Sequence, residues 1–132
     1  MIGGRVLDST AVRAIASGDS EYAAALLAVA TELGITLAVP ATSLEEAWRW
    51  STPAERPWLE LLAQASPVVV IDLDAAAARE TGLLASVAGQ PQSEPATAQS
   101  VAVSLQRDWP VVTRYPDAVL LLSSKVRTET IP

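Results

Sequence analysis

The feature that most restricts the fold of this chain is a regular alternation of short apolar runs with helical segments. Four apolar runs of β-type residues end at Leu7, Val39, Leu73 and Thr113. Each run is followed by residues typical of a helix start. Strands joined through a helix pair in parallel, with the helix packed on a face of the sheet. The alternation therefore predicts a three-layer α/β/α sandwich with a mainly parallel sheet, formed by one domain over residues 1–132.

The predicted strands cover residues 5–7, 35–39, 68–73 and 111–113, and a further edge strand is predicted within 125–131. The predicted helices cover residues 9–17, 20–33, 42–50, 57–64, 74–87, 96–107 and 116–123. Ser20 and Asp74 are expected to cap the second and fifth of these helices, and Gly34 is expected to end the second. The run at 68–73, which is apolar except for Asp72, predicts a strand covered on both faces.

The composition excludes several classes of function. The chain has no cysteine and no histidine, which removes disulfides, the usual zinc sites and every histidine-based triad. Catalysis would have to use carboxylates, hydroxyls, arginines or Lys125, the one lysine. A net charge of −6 opposes non-specific binding to nucleic-acid phosphates.

The sequence was examined for two localisation signals, a membrane-spanning segment and a signal peptide, and neither is recognised. No apolar stretch approaches the roughly 20 residues of a membrane span, so no membrane association is expected. Residues 1–5 lack the features of a signal peptide, so the expected location is the cytoplasm. The alanine-rich composition, with arginine preferred to lysine, hints at a bacterial gene.

Four motifs occur in an order that resembles one known family. They are Val6-Leu7-Asp8-Ser9-Thr10, the segment from Val39 to Arg49 that contains Glu45-Glu46, Val70-Ile71-Asp72-Leu73-Asp74, and the segment from Pro110 to Asp117. Together they resemble the PIN domain, whose members include toxin ribonucleases of bacterial toxin–antitoxin pairs. The resemblance covers almost the whole chain. It implies the PIN-like fold and a nuclease site in which three or four acids hold one or two Mg²⁺ or Mn²⁺ ions.

The resemblance carries the first acid to Asp8 and the second to Glu46. The third and fourth acid positions fall on Thr97 and Tyr115, which are neutral at pH 7. Asp8 and Glu46 alone are expected to bind one ion weakly or not at all. A pair of ions that clamps the attacking and leaving oxygens requires further carboxylates.

Glu94 and Asp117 lie close in sequence to Thr97 and Tyr115. They would replace the two lost acids only if the loops that contain them shifted register. Asp8 also has a simpler interpretation as a helix cap, and Glu46 as a solvated helix residue. Arg13, Arg49 and Arg114 are candidates for ion pairs with the remaining carboxylates, which would replace a cation by a salt bridge.

The aromatic and apolar residues outside the site suggest protein contacts. Trp48 is expected in the core. Trp50 and Trp58, near Arg56, belong either to an exposed lip of the kind enriched at interfaces or to a partly buried loop, which is the commoner outcome. The helix at 20–33 has an apolar surface wide enough to face both the core and a partner subunit.

The leading hypothesis is a degenerate PIN-like domain with little or no nuclease activity, which acts through protein interaction or regulation and needs no cofactor. The expected partners are a second copy, giving a homodimer through apolar helical surface, and an antitoxin-like or regulatory protein. One alternative is a Mg²⁺- or Mn²⁺-dependent ribonuclease of a toxin–antitoxin system. The other is a PIN-like module that binds RNA without cleaving it, which the acidic charge disfavours.

Overall fold

The structure, a computed structural model, describes residues 3–132 and contains five strands and seven helices in that range. The strands are β1 (Gly4–Leu7), β2 (Thr36–Pro40), β3 (Val68–Ile71), β4 (Val111–Thr113) and β5 (Thr128–Thr130). The helices are α1 (Ser9–Ser17), α2 (Glu21–Leu33), α3 (Ala41–Arg49), α4 (Arg56–Gln64), α5 (Ala75–Val87), α6 (Pro95–Arg107) and α7 (Pro116–Leu122).

The five strands form one sheet in the order β3-β2-β1-β4-β5, and every pairing is parallel. Each crossover contains at least one helix, as parallel pairing requires. The predicted α/β/α architecture is confirmed. None of the helices within residues 3–132 combines the length and apolarity needed to cross a bilayer.

Each face of the sheet carries its own apolar core. One core includes Leu7, Leu37 and Val39 of the sheet together with residues of α1, α2, α3 and α4. The other includes Val6, Ala38 and Val111 and is covered by residues of α5, α6 and α7. Because adjacent residues of a strand point to opposite faces, the three interior strands, β2, β1 and β4, contribute to both cores.

The helix ends follow from local sequence. Asp8, Ser20 and Asp74 cap α1, α2 and α5 with side-chain oxygens that accept from backbone amides. Gly18 and Gly34 follow α1 and α2 in the left-handed conformation that glycine adopts most easily. The predicted caps at Ser20 and Asp74 and the stop at Gly34 are therefore confirmed.

The expectation for the run at 68–73 was wrong. Strand β3 ends at Ile71 and lies at the edge of the sheet, where Val69 keeps 46% of its surface exposed. Helix α4 packs against β3, but no comparable cover lies over Val69. An apolar run indicates a strand without indicating its position in the sheet. The predicted edge strand within 125–131 forms, but only over Thr128–Thr130.

Candidate functional site at the carboxyl edge of the sheet

The positions predicted from the resemblance are distributed along the carboxyl edge of the sheet. Asp8 directly follows β1, and α3, which carries Glu46, directly follows β2. These two strands are adjacent and parallel. Tyr115 follows β4, and Thr97 lies in the first turn of α6. In parallel sheets this edge is where functional side chains gather.

Asp8 is buried, with 5% of its surface exposed, and caps α1. Its Oδ1 accepts from the Thr10 hydroxyl at 2.6 Å and from the Ala11 amide at 3.0 Å. Burial raises the pKa of the Asp8 carboxyl above its ordinary value of 3.8. The hydrogen bonds from Thr10 and Thr113 act in the opposite direction and are weaker in sum.

The donors around Asp8 connect it to the loop that follows β4. The Thr10 hydroxyl, which donates to Asp8, accepts from the Arg114 amide at 2.9 Å. Thr113, which is fully buried, accepts from the Tyr115 amide at 2.9 Å through Oγ1. The carboxylate thus anchors the start of α1 to the β4–α7 loop. It has the helix-cap role that its sequence position also indicated.

Glu46 lies half-buried in a separate, acidic cavity of about 590 Å³. The same cavity is lined by Glu45, Glu94 and Arg49. The hydrogen bond from Arg49 to Glu45 is the main cause that raises the pKa of the guanidinium, and the charges of Glu46 and Glu94 add to it. Asp8 does not line this cavity.

Thr97 and Tyr115 occupy the two remaining positions of the implied site and line different cavities. Thr97 lines one of about 250 Å³ beside Leu121. Tyr115, with 64% of its surface exposed, lines one of about 240 Å³ together with Arg13 and Arg114.

The donor set does not fit a divalent cation held by several carboxylates. Within residues 3–132 there is no group of three or more acidic side chains placed to hold a metal ion. Glu94, a proposed substitute, shares a cavity with Glu46, and Asp117 lies exposed in the first turn of α7.

Two of the proposed ion pairs with the remaining acids do not form. Arg49 instead pairs with Glu45 across one helical turn, and Arg114 pairs with Asp19 at 3.1 Å. Such exposed pairs contribute little to stability.

Gln99 is an important residue of this edge that the sequence did not indicate. It is 1% exposed, and its Oε1 accepts from the amide and the hydroxyl of Thr42 at 3.1 and 2.6 Å. Its Nε2 donates to the carbonyls of Ile71 and Asp72 at 3.1 and 3.2 Å. One side chain therefore joins α6, the start of α3 and the end of β3. A glutamine in an amphipathic helix gives no sequence signal for this role.

The expectation for Trp48 is confirmed, and Trp50 and Trp58 take the exposed alternative rather than the commoner, partly buried one. Trp48 packs against the core that α1 to α4 cover. Trp50 and Trp58 leave 63% and 60% of their surfaces exposed.

Comparison with solved structures identifies the fold. The VapBC2 complex from Rickettsia felis, bound to a DNA fragment from its promoter, contains a chain that superposes with a TM-score of 0.67 at 16% identity, with all of both chains covered. A chain of FitAB bound to an IR36 DNA fragment gives a TM-score of 0.62 at 18% identity, with 96% of this chain and 94% of that chain covered. The chain has the PIN-domain fold. The resemblance read from the four motifs is thereby confirmed at the level of the fold. The sequence matches no protein-family model and no curated protein sequence.

Proposed function

We propose that this chain is a degenerate PIN-like domain with little or no nuclease activity, which acts through protein interaction or regulation. The observation that carries the proposal is the engagement of Asp8. This carboxylate is buried, caps α1 and accepts from Thr10, and no group of three or more metal-ligating side chains occurs within residues 3–132. These contacts engage the Asp8 carboxyl group within the chain, at the start of α1.

The chemistry of phosphodiester cleavage supports the same proposal. A two-ion site needs carboxylates that bridge and flank the ions, and these stabilise charge on the attacking and leaving oxygens. Thr97 and Tyr115 supply neutral oxygens in separate cavities. Glu46 and Glu94 share a cavity with the cation Arg49, whose charge competes with a metal ion.

Two kinds of protein partner fit the proposal. VapBC2 and FitAB are toxin–antitoxin complexes whose toxin is a PIN domain, which supports an antitoxin-like or regulatory partner for this chain. A homodimer is the second. The exposed tryptophans, Trp50 and Trp58, are of the residue type enriched at protein interfaces.

The alternative function is a Mg²⁺- or Mn²⁺-dependent ribonuclease of the toxin type. It is favoured by the similarity to toxin–antitoxin complexes and by the retention of Asp8 and Glu46. An RNA-binding module without cleavage receives less support, because the net charge is −6 and the cations near Tyr115 include Arg114, which is already paired with Asp19.

RNA cleavage by the wild type and by an Asp8→Asn control tests the proposal directly. At millimolar Mg²⁺ or Mn²⁺ we expect equal, background rates for the two proteins on a mixed single-stranded RNA substrate. Robust Mn²⁺-dependent cleavage by the wild type that Asp8→Asn abolishes would refute the degenerate site and establish the ribonuclease. Retention of labelled RNA without cleavage would instead support the binding module.

A further inference from the structure

The outer edge of β3 has main-chain groups without a partner within residues 3–132. Strand β3 pairs with β2 on one side only. The Pro67 carbonyl accepts from the Leu37 amide at 2.8 Å. Because successive residues of a strand direct their main-chain groups to opposite sides, the groups of Val68 and Val70 point away from β2. The Val68 amide donates to the Ala65 carbonyl at 3.0 Å, which leaves the Val68 carbonyl and both groups of Val70 free.

The two edges of the sheet differ in how they are protected against pairing. At the opposite edge, β5 contains Glu129, a charged residue that pairs with Arg5. Charged residues, prolines and bulges on an edge strand discourage the addition of another strand. The residues of β3 are three valines and an isoleucine in unbroken register with β2, so none of these features is present. An apolar strand with such an edge is suited to pair with a further strand.

The exposure of Val69 indicates the side chain that an added strand would carry. Val68 packs against the core covered by α1 to α4, so Val69 points to the opposite face of the sheet. Ile71, on that same face, packs against the core there, whereas Val69 keeps 46% of its surface exposed. An apolar side chain placed beside Val69 by a neighbouring strand would remove both side chains from water.

Both ends of β3 are held in place within the chain. Ala65 bonds to the first residue of the strand, and the Gln99 amide bonds to the carbonyls of Ile71 and Asp72 at its end. An edge that is already ordered loses little conformational entropy when another segment binds to it.

Charge restricts the chemistry of the added segment. Asp72 and Asp74 directly follow β3 and are exposed. None of the ion pairs within residues 3–132 involves either of them. The chain as a whole has a net charge of −6. A cationic side chain near the end of β3 would be attracted, and an anionic one would be repelled.

We propose that the outer edge of β3 binds an extended segment of a partner protein, which joins the sheet as a further strand. The segment has an apolar side chain beside Val69 and a lysine or arginine near Asp72. Its backbone donates to and accepts from Val70, with the spacing that an extended chain supplies. The inference rests on the proposed role in protein interaction, for which it gives a surface and a partner chemistry. It does not depend on the loss of the nuclease site.

Hydrogen exchange at the Val70 amide measures the pairing directly. In the free chain this amide should exchange rapidly, whereas the amides of Val69 and Ile71, which point toward β2, should be protected. The probe is a short synthetic peptide of alternating valine and threonine with a lysine at each end, added at millimolar concentration. It should slow the exchange of the Val70 amide severalfold. The same peptide with a proline at its centre is the control and should have no effect, because proline interrupts strand pairing.

Substitutions at the edge test the same contact by the anisotropy of a labelled peptide. Val69→Lys gives β3 a charge of the kind that protects edge strands, so it should weaken binding of the lysine peptide about tenfold. Val29→Lys is the matched control, since Val29 is 42% exposed on α2 and the change is chemically identical. It should retain the wild-type affinity.

Val70→Pro removes the outward amide and should weaken binding as Val69→Lys does, because proline is tolerated where an edge amide faces solvent. Val69→Lys changes an exposed side chain, so the test does not depend on the folding of Val70→Pro. A peptide with glutamate in place of lysine should bind more weakly, and Asp72→Asn should reduce that preference.

Absence of Val70 protection by the lysine peptide would overturn the inference, as would equal effects of Val69→Lys and Val29→Lys. A mass that doubles with concentration in light scattering, and that Val69→Lys restores to one chain, would assign the edge to a second copy and would also overturn it. RNA cleavage is measured separately with Asp8→Asn, which changes no residue of this edge. Cleavage activity would refute the degenerate site and leave the inference about β3 standing.

Discussion

Replacing Gln99 by leucine should destabilise this fold more than any comparable glutamine substitution in the same helix. Leucine has a similar volume but cannot form hydrogen bonds. The change removes four of them, two accepted from Thr42 and two donated to the carbonyls of Ile71 and Asp72. The groups left behind belong to the start of α3 and to the end of β3, so the loss affects the connection between three elements.

The size of the stability loss depends on whether the groups that lose Gln99 as a partner stay buried or can bind water. Each hydrogen bond contributes about 1 kcal/mol net, and a buried group left without a partner costs about 1–3 kcal/mol. Thr42 is half-buried and Asp72 is exposed, so water can reach part of the vacated partners. We therefore expect a loss of about 3 kcal/mol in the free energy of unfolding, which is less than the sum of the losses for four fully buried hydrogen bonds. For a domain of this size such a loss lowers the melting temperature by about 10 °C.

Urea unfolding followed by tryptophan fluorescence measures the effect, because the chain has four tryptophans. Gln106→Leu is the matched control in α6. Its amide makes one exposed contact to Glu80 at 3.0 Å, so its loss should change stability by less than about 0.5 kcal/mol. A Gln99→Leu variant within about 0.5 kcal/mol of the wild type would refute the argument that this side chain joins α6 to the sheet edge.

Three further outcomes are expected. Burial raises the pKa of Asp8, so folding favours its protonated form. The contribution of Asp8 to the free energy of unfolding is therefore complete below pH 3.8 and is lost as the pH rises through the folded-state pKa. Urea unfolding should therefore show Asp8→Asn to be more stable than the wild type at pH 7, and the difference in the free energy of unfolding should shrink toward pH 4. A difference that does not change with pH would contradict this account. Thr97→Asp with Tyr115→Asp should give a rise in melting temperature with Mn²⁺ that the wild type lacks, through binding to the folded state. Gly4→Ala should cost about 1–3 kcal/mol in chemical unfolding, because its Cβ would lie 2.6 Å from the Trp109 ring, and Trp109→Leu should recover most of that loss.

Local sequence was sufficient to predict the fold because its signals are short-range. Caps such as Ser20 and Asp74 act on amides three residues away, and Gly34 ends α2 through its own backbone conformation. Together with the alternation of strands and helices, these signals leave few parallel topologies. The position of β3 was not predictable in this way. Whether Val69 is covered depends on helices distant in sequence, and an apolar run carries no information about its neighbours.

The candidate site shows the same division between what the sequence predicts and what only the tertiary structure reveals. The sequence alone determined that two implied acid positions hold Thr97 and Tyr115, since residue identity needs no structure. Only the tertiary structure decided that Asp8 is buried and bonded to Thr10, and that Gln99 joins three elements. Hydrogen-bond partners and desolvation arise from segments brought together across the sheet edge. A carboxylate that caps a helix and one that binds a metal ion are identical in the sequence, and they differ only in what surrounds them in space.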